Sequence, residues 1–361
     1  MDTPGFTELQ ASIITMPYTG RVFIEGPSGT GKSSAAAARL QAMIEASIPG
    51  HSILMLVPQR TLAYPYYEVM GQPVLPPGTM PDVFTLGGLA RRLVDLFWPM
   101  LARNAGFAHP DRPPVFLNVE TAQYYLARHV APPRDNEGYF QSVTIDANRL
   151  YSQILSNLNS AAGIGFPASE ISQRLISAWQ GKPDQVRIYQ DAEDCALRFR
   201  QYCLEHNLID FSLLLEIFCQ HLWPSLLARQ YLQKRYRHLI YDNIEEDIPV
   251  AHDVLHAWLP DFESALLISD TQAGYRSFLG ADPESGRALA GGCEKIVRFE
   301  ESLVTPVELL EFGQMIEDSL CLPKPVFNVT SNTASYLTFA HDQFFPDMLE
   351  RASQEIVRLV Q

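Results

Sequence analysis

Residues 21–34, RVFIEGPSGTGKSS, decide the fold that this sequence predicts. A β-branched and aromatic run leads directly into the pattern G-x-x-x-x-G-K-S at 26–33, and an alanine-rich segment with helical spacing follows over 34–46. A strand, a glycine-rich turn and a helix in this order form a phosphate-binding loop. The glycines let backbone N–H groups turn toward phosphate oxygens, and the helix directs the positive end of its dipole at the same anion. The stretch therefore predicts a nucleotide-binding site rather than an ordinary glycine turn.

The positions of this loop predict individual contacts with ATP and Mg²⁺. The ammonium of Lys32 is expected to reach the β and γ phosphates, and the hydroxyl of Ser33 is a ligand suited to Mg²⁺. The residues that we expect to surround the nucleotide are Gly26, Pro27, Ser28, Gly29, Thr30, Gly31, Lys32, Ser33 and Ser34. ATP and Mg²⁺ are accordingly the cofactors that the sequence predicts.

The composition is typical of a globular protein with room for about two domains. The chain has 361 residues, of which 47% are hydrophobic and 19% charged, and its net charge is −14. Such a negative charge argues against a nucleic-acid coat protein but allows a motor with a local basic groove. Five scattered cysteines without a C-x-x-C pair indicate reduced thiols. Because no signal peptide and no apolar stretch of bilayer length is visible, we expect a cytoplasmic protein without a membrane partner.

Apolar runs at 52–57, 82–86, 237–242 and 264–270 have the character of strands buried on both faces of a parallel sheet. Segments with helical periodicity separate these runs, and the last two runs each end in an aspartate. Polar residues at the carboxyl ends of parallel strands are typical of nucleotide-binding sites. The pattern predicts an α/β fold with a doubly wound parallel sheet.

A helical segment interrupts this alternation between the two pairs of strands. From about 99 to 207 the apolar residues recur with helical spacing, so we predict an all-helical insertion there. Stretches rich in proline and glycine at 109–114 and 131–138 predict breaks between its helices. The predicted division of the chain is 1–98 for the first part of the ATPase domain, 99–207 for the insertion, 208–290 for the second part of the ATPase domain, and 291–361 for a further segment.

Asp242, which closes one of the apolar runs, is the predicted partner of Ser33 in holding Mg²⁺. The next position is Asn243, whose amide cannot accept a proton from an attacking water. Glu245 follows two residues later and is the candidate catalytic carboxylate. The sequence therefore predicts binding of ATP and leaves its hydrolysis open. The alternative for Asp242 is that it caps a turn before Pro249.

Six further segments carry a family resemblance that covers nearly the whole chain. They are FTELQ at 6–10, LVPQRT at 56–61, VFTLGGLA at 83–90, LIDFSLL at 208–214, HLIYDNIEE at 238–246 and LISDTQAGYR at 267–276. In order and spacing behind the glycine-rich loop, they resemble the motifs of the N-terminal part of superfamily 1 DNA helicases of the UvrD/Rep type. The resemblance implies a RecA-like P-loop NTPase domain with a parallel sheet, interrupted by an all-helical insertion.

The resemblance also implies roles for single residues outside the loop. Gln10 would read the adenine, Arg60 and Thr85 would contact the DNA strand, and Tyr275 would stack on bases. Gln272 would sense the γ-phosphate. The catalytic set implied in this way is Lys32, Asp242, Glu245 and Gln272.

Several positions depart from the pattern of that family. Asn243 replaces its catalytic glutamate, and Glu245 stands where glutamine is usual. One residue is missing between Asp270 and Gln272, and the segment 299–302 has no arginine that could contact the γ-phosphate. The resemblance further implies that 291–361 connects to a second motor domain and contains its beginning, so that the later motifs, the arginine finger included, are absent. Turnover by this chain alone is therefore doubtful.

The function predicted from these observations is that of an ATP-dependent DNA helicase or translocase acting on single-stranded DNA in repair, with other repair or recombination proteins as partners. The alternative is a degenerate, non-translocating helicase-like subunit that binds nucleotide or DNA as a scaffold, which Asn243 favours. A small-molecule kinase is disfavoured because nothing in the sequence resembles a lid or an acceptor-binding site.

Overall fold

A parallel sheet forms the centre of the fold. The computed structural model describes residues 5–71, 78, 80–142, 144–181, 183, 185–320 and 340–360. In this part of the chain the strands are β1 Gly20–Gly26, β2 Ile53–Leu56, β3 Asp82–Phe84, β4 Val115–Phe116, β5 Leu208–Ile209, β6 His238–Tyr241, β7 Ser264–Asp270 and β8 Lys295–Arg298. Six of them form one sheet in the order β3-β2-β6-β7-β1-β8, and every neighbouring pair is parallel. The predicted α/β class with a parallel sheet is confirmed.

Helices connect the strands and account for most of the remaining described chain. They are α1 Glu8–Thr15, α2 Lys32–Glu45, α3 Tyr64–Met70, α4 Leu86–Leu101, α5 Val119–Asn136, α6 Ala147–Ile164, α7 Ile171–Ala178, α8 Gln185–Glu205, α9 Phe211–Ile217, α10 Leu226–Arg235, α11 Pro249–Trp258, α12 Pro283–Ala288, α13 Val307–Ser319 and α14 Phe345–Val360.

The two faces of the sheet belong to two separate apolar cores. Successive side chains of β1 alternate between them, because neighbouring residues of a strand point to opposite faces. Val22 and Ile24 lie in a core shared with α1, α2 and α3, whereas Phe23 lies in a larger core with α4 to α11. Both faces are therefore covered, which explains why the strands read as continuous apolar runs.

The segment predicted as an all-helical insertion contains α5 to α8, and it differs from the prediction in two details. β4 lies within it and pairs in parallel with β5, which ties the segment to the chain that follows. The break predicted near 131–138 lies partly inside α5, which continues through Pro132 and Pro133 to Asn136. Val130 lies in the larger core and Pro133 is also buried, so the helix continues although neither proline can donate a helical hydrogen bond.

Two compact units divide the chain, Met1–Phe299 and Glu300–Gln361. The larger core runs without interruption from the sheet through α4 to α8, so the insertion does not separate from the sheet as a unit of its own. The first unit extends nine residues beyond the predicted boundary after 290, because β8 pairs with β1 along the edge of the sheet. In the second unit α13 and α14 are the described helices.

Across the described residues no single helix is long and apolar enough to span a bilayer. The helical segments Phe211–Leu222 and Leu226–Arg235 meet that criterion only when they are joined, and a bend of 98° separates them. Cys195, Cys203, Cys219 and Cys293 are free thiols, and Cys321 lies outside the described residues.

Candidate functional site

The glycine-rich loop, residues 26–33, connects β1 to α2 at the carboxyl edge of the sheet. Gly29 and Gly31 have φ of 78° and 80°, a left-handed conformation in which glycine is favoured over residues with a side chain. A Cβ atom on Gly26 would lie 2.1 Å from the carbonyl oxygen of Phe299, so this position has no room for a side chain. The three glycines of the loop, two from the pattern and Gly29 between them, are thus explained by the backbone path in front of α2.

Lys32 is the first residue of α2, and its side chain folds back over the loop. Its Nζ donates hydrogen bonds of 2.7 Å each to the carbonyl oxygens of Gly26 and Pro27. It also lies 3.4 Å from Oδ2 of Asp270, the residue paired with Gly26 across β1 and β7. Lys32 is only 7% exposed. The ammonium is therefore held at the loop itself, where an anion would meet it.

Gln10 supports the same loop from α1. Its Nε2 donates to the carbonyl oxygen of Gly31 at 3.2 Å, and its Oε1 accepts from the backbone N–H of Thr7 at 2.9 Å. The side chain is 2% exposed. Gln10 thus positions the loop in this structure. Its role in reading adenine stays a prediction, and that contact would require these two hydrogen bonds to be exchanged.

Asp242 follows β6 and lies beside Ser33. Its buried carboxylate accepts a hydrogen bond of 2.7 Å from the hydroxyl of Tyr66, and the Ser33 side chain lies close enough to lower its pKa. Burial raises the pKa of Asp242, and the hydroxyls of Tyr66 and Ser33 partly offset that rise. A carboxylate and a hydroxyl are the hard oxygen ligands that Mg²⁺ prefers, so this pair fits the predicted ion. Tyr66 has no motif signal in the sequence, and only the structure identifies its contact.

The backbone at Asn243 determines where Glu245 lies. Asn243 adopts φ 58° and ψ 44°, a left-handed conformation that asparagine tolerates, and a short helical turn over 244–246 follows. This turn places Oε2 of Glu245 2.8 Å from the backbone N–H of Asp270. Among the described residues Oε1 of Glu245 has no hydrogen-bond partner, although the residue is only 1% exposed.

The environment of Glu245 makes its carboxylate unusually basic. Burial raises the pKa of Glu245 to about 7, and the negative charges of Asp270 and Asp242 add to that effect. A carboxyl with a pKa near neutrality is suited to proton transfer at physiological pH. The side chain adjoins Asp270, which contacts Lys32, so the candidate base lies close to the glycine-rich loop.

The loop after β7 is bound to the same acidic segment. The backbone N–H of Gln272 donates to Oδ1 of Asp270 at 2.8 Å. Glu246 accepts from the backbone N–H of Gly274 at 2.9 Å and of Arg276 at 3.2 Å. Residues 245 and 246 therefore hold both the beginning and the middle of this loop, which places Gln272 next to the candidate nucleotide site.

A cleft of about 290 Å³ opens on the other side of that loop. It is lined by Pro58, Thr85, Leu86, Gly87, Ser156, Asn159, Ser160, Gly163, Phe211, Glu246, Asp247, Ile248, Arg276, Phe278 and Leu279. When the amide oxygen of Gln59 faces Arg276, it lies 2.8 to 2.9 Å from the three guanidinium nitrogens and holds this cation in place. The hydroxyl and amide groups that α6 contributes could not be identified from the sequence, since they follow no motif.

The residues predicted to contact DNA occupy different places around this cleft. Thr85 lines it, while its Oγ1 accepts from the backbone N–H of Gly88 at 3.0 Å and so caps α4. Tyr275 is 80% exposed and precedes Arg276 without lining the cleft itself. Arg60 is exposed at the start of a short helical turn and does not line the cleft. Phe278, which is 79% exposed, is the aromatic residue of the loop that does.

No protein-family model matches this chain, and no curated protein matches it either. The resemblance to helicases therefore depends on the sequence motifs alone.

Proposed function

We propose that this chain is an ATP-binding motor domain of an ATP-dependent DNA helicase or translocase that acts on single-stranded DNA. The observation that carries the proposal is the meeting of Lys32, Ser33 and Asp242 at one edge of a parallel sheet. A phosphate-binding loop, an oxygen pair suited to Mg²⁺ and a buried base next to them are the parts that nucleoside triphosphate hydrolysis needs.

ATP would enter the glycine-rich loop with its phosphates toward the amino end of α2. There Lys32 would exchange its present partners, the carboxylate of Asp270 among them, for phosphate oxygens, which are charged acceptors and form strong hydrogen bonds with an ammonium. Ser33 and Asp242 would hold Mg²⁺, which neutralises phosphate charge when it is bound. Glu245 would orient a water molecule through its free Oε1 and accept the proton that this water loses.

Several groups in and beside the cleft support the proposal that it binds single-stranded DNA, although Glu246 and Asp247 also line it. A cation, Arg276, and hydroxyl groups from α6 offer contacts to the phosphate backbone. Phe278 and the neighbouring Tyr275 present exposed rings on which bases can stack. The loop after β7 carries these rings at one end and Gln272 at the other, so it joins the two sites within seven residues, 272–278.

Asn243 supports the second candidate, a non-translocating helicase-like subunit that binds nucleotide or DNA as a scaffold. Asparagine cannot act as a general base. If Glu245 does not act as the base either, the chain binds nucleotide without hydrolysing it, as the scaffold function requires. The two functions share the binding site and differ in turnover.

ATP hydrolysis by the full chain, measured with and without single-stranded DNA, tests the proposal. We expect turnover that DNA stimulates. Nucleotide binding without turnover under both conditions would favour the scaffold, and a chain that binds neither nucleotide nor DNA would contradict both functions. A fluorescent ATP analogue measures binding independently of hydrolysis.

Arg276→Ala is expected to weaken binding of single-stranded DNA by about tenfold and to reduce the salt slope of the affinity by about one ion, since one phosphate contact is lost. Arg237→Ala is the matched control. Arg237 precedes β6 at the opposite edge of the sheet, where it forms an ion pair with Glu263. Fluorescence anisotropy with a labelled oligonucleotide at several salt concentrations gives both quantities. Equal losses in the two variants would show that only net charge matters, and the cleft would then not be the DNA site.

A further inference from the structure

We propose that Asp270 is a positioning residue that competes with phosphate for Lys32, so that it limits nucleotide affinity and speeds the release of ADP. The inference rests on the proposed function, because it assigns a role to a contact inside the same site. Neither the loop pattern nor the acidic residues of the sequence indicate this competition.

The contacts of Lys32 carry the inference. An ammonium has three donors, and those of Lys32 face Gly26 O, Pro27 O and Asp270 Oδ2, at 2.7, 2.7 and 3.4 Å. The side chains of Lys32 and Asp270 are 8% and 10% exposed, so water screens their attraction poorly. All three donors are occupied, so a phosphate that binds to this ammonium has to displace partners from it and competes with the carboxylate for its positive charge.

Asp270 cannot follow the ammonium when it moves. Its backbone N–H donates to Oε2 of Glu245, and its Oδ1 accepts from the backbone N–H of Gln272, both at 2.8 Å. The carboxylate therefore stays beside the loop, where its negative charge opposes a bound phosphate. As ADP leaves, Asp270 is in place to recapture Lys32, which lowers the barrier to release.

The test compares Asp270→Asn with the unmodified full chain, using a fluorescent ADP analogue as the probe. The amide oxygen of asparagine can still accept from Gln272, but the negative charge is gone. We expect the dissociation constant for ADP to fall about tenfold and the dissociation rate to fall by a similar factor, as for the loss of one partly buried competing charge. A purely structural role for Asp270 predicts the opposite, because a disturbed loop would bind ADP more weakly.

Glu25→Gln is the matched control. Glu25 lies on β1 directly before the glycine-rich loop, and its carboxylate is paired with Arg298 instead of Lys32. Its removal takes away the same charge without freeing the ammonium, so ADP affinity should stay within about twofold of that of the unmodified chain. Asp270→Glu keeps the charge and should release ADP nearly as fast as the unmodified chain does.

The outcomes separate this inference from the proposed function. If the unmodified chain and Asp270→Asn bind ADP equally well, the competition is refuted and the nucleotide site stands. If only Asp270→Asn binds, the competition is supported and the proposed function of the natural chain is refuted. If neither binds, both are refuted. Should Asp270→Asn fail to fold, a crystal structure of the unmodified chain with ADP decides, because a Lys32 that still contacts Asp270 while phosphate is bound would refute the inference.

Discussion

Lys32→Ala is expected to weaken ATP binding by about a hundredfold or more, since the variant loses the charge-assisted hydrogen bonds to the phosphates. The loss is larger than that of an ordinary surface cation because Lys32 is buried at the glycine-rich loop. In the variant Asp270, Asp242 and Glu245 face the phosphates without a compensating cation from this side chain. Titration of the full chain with a fluorescent ATP analogue measures the affinity.

Lys295→Ala is the control for this variant. Lys295 is exposed at the first position of β8, at the opposite edge of the sheet from the glycine-rich loop. Lys295→Ala changes the net charge of the chain by the same amount as Lys32→Ala does, and it should leave ATP affinity unchanged. Equal ATP affinities of the two variants would contradict the nucleotide site, because removal of an ammonium that contacts phosphate must lower the affinity.

Glu245→Gln is expected to reduce ATP turnover by about two to three orders of magnitude while ATP affinity is retained, as for the loss of a general base. Gln keeps an oxygen that can accept from the backbone N–H of Asp270 and removes only the basic group. Glu25→Gln serves as the control, because it removes a carboxylate that does not belong to the cluster of Asp242, Glu245 and Asp270. Its turnover should match that of the unmodified chain. If Glu245→Gln hydrolyses ATP at the normal rate, Glu245 is not the base.

The pH dependence of turnover follows from the same residue. The pKa of Glu245 is raised to about 7, so its basic form is present above that pH and is lost below it. Turnover of the unmodified chain should therefore increase as the pH rises through about 7. The residual turnover of Glu245→Gln should lack this increase with pH. Turnover of both proteins is measured between pH 6 and pH 8, roughly one unit on either side of the pKa.

Glu245 also links the stability of the fold to pH. Its pKa in the folded chain lies above the ordinary value of 4.5, so the unfolded chain releases this proton first as the pH rises. Stability should thus fall between pH 4.5 and about 7 by about 3 kcal/mol from this group alone. Glu245→Gln should remove that loss and be more stable than the unmodified chain at a pH of about 8, as urea unfolding would measure.

The sheet was predictable because its strands carry a local signal. Strands covered on both faces are continuously apolar, and the runs at 52–57, 82–86, 237–242 and 264–270 coincide with β2, β3, β6 and β7 within a few residues. The glycine-rich loop was predictable for a similar reason, since each glycine answers a local backbone requirement. By contrast, the pairing of β4 with β5 was not predictable. Each of these strands has only two residues, too few to show a periodic pattern, and they come from distant segments of the chain.

The site was only partly predictable. Lys32, Ser33 and Asp242 are brought together as expected, because the motifs that carry them end at one edge of the sheet. The contacts of Tyr66 with Asp242 and of Asp270 with Lys32 join residues that are 176 and 238 positions apart. No spacing rule relates such pairs, and only the packing of helices α2 and α3 against the sheet decides them.

By itself the sequence determined the α/β alternation, the glycine-rich loop between β1 and α2, and the aspartate that follows β6, since each depends on residues close together in the chain. The tertiary structure alone decided that Glu245 is buried with one free oxygen, that Asp270 holds the lysine, and that α6 closes a cleft over the loop after β7. Burial and proximity set the charge, the basicity and the partners of a side chain, and both arise only when distant segments pack against each other.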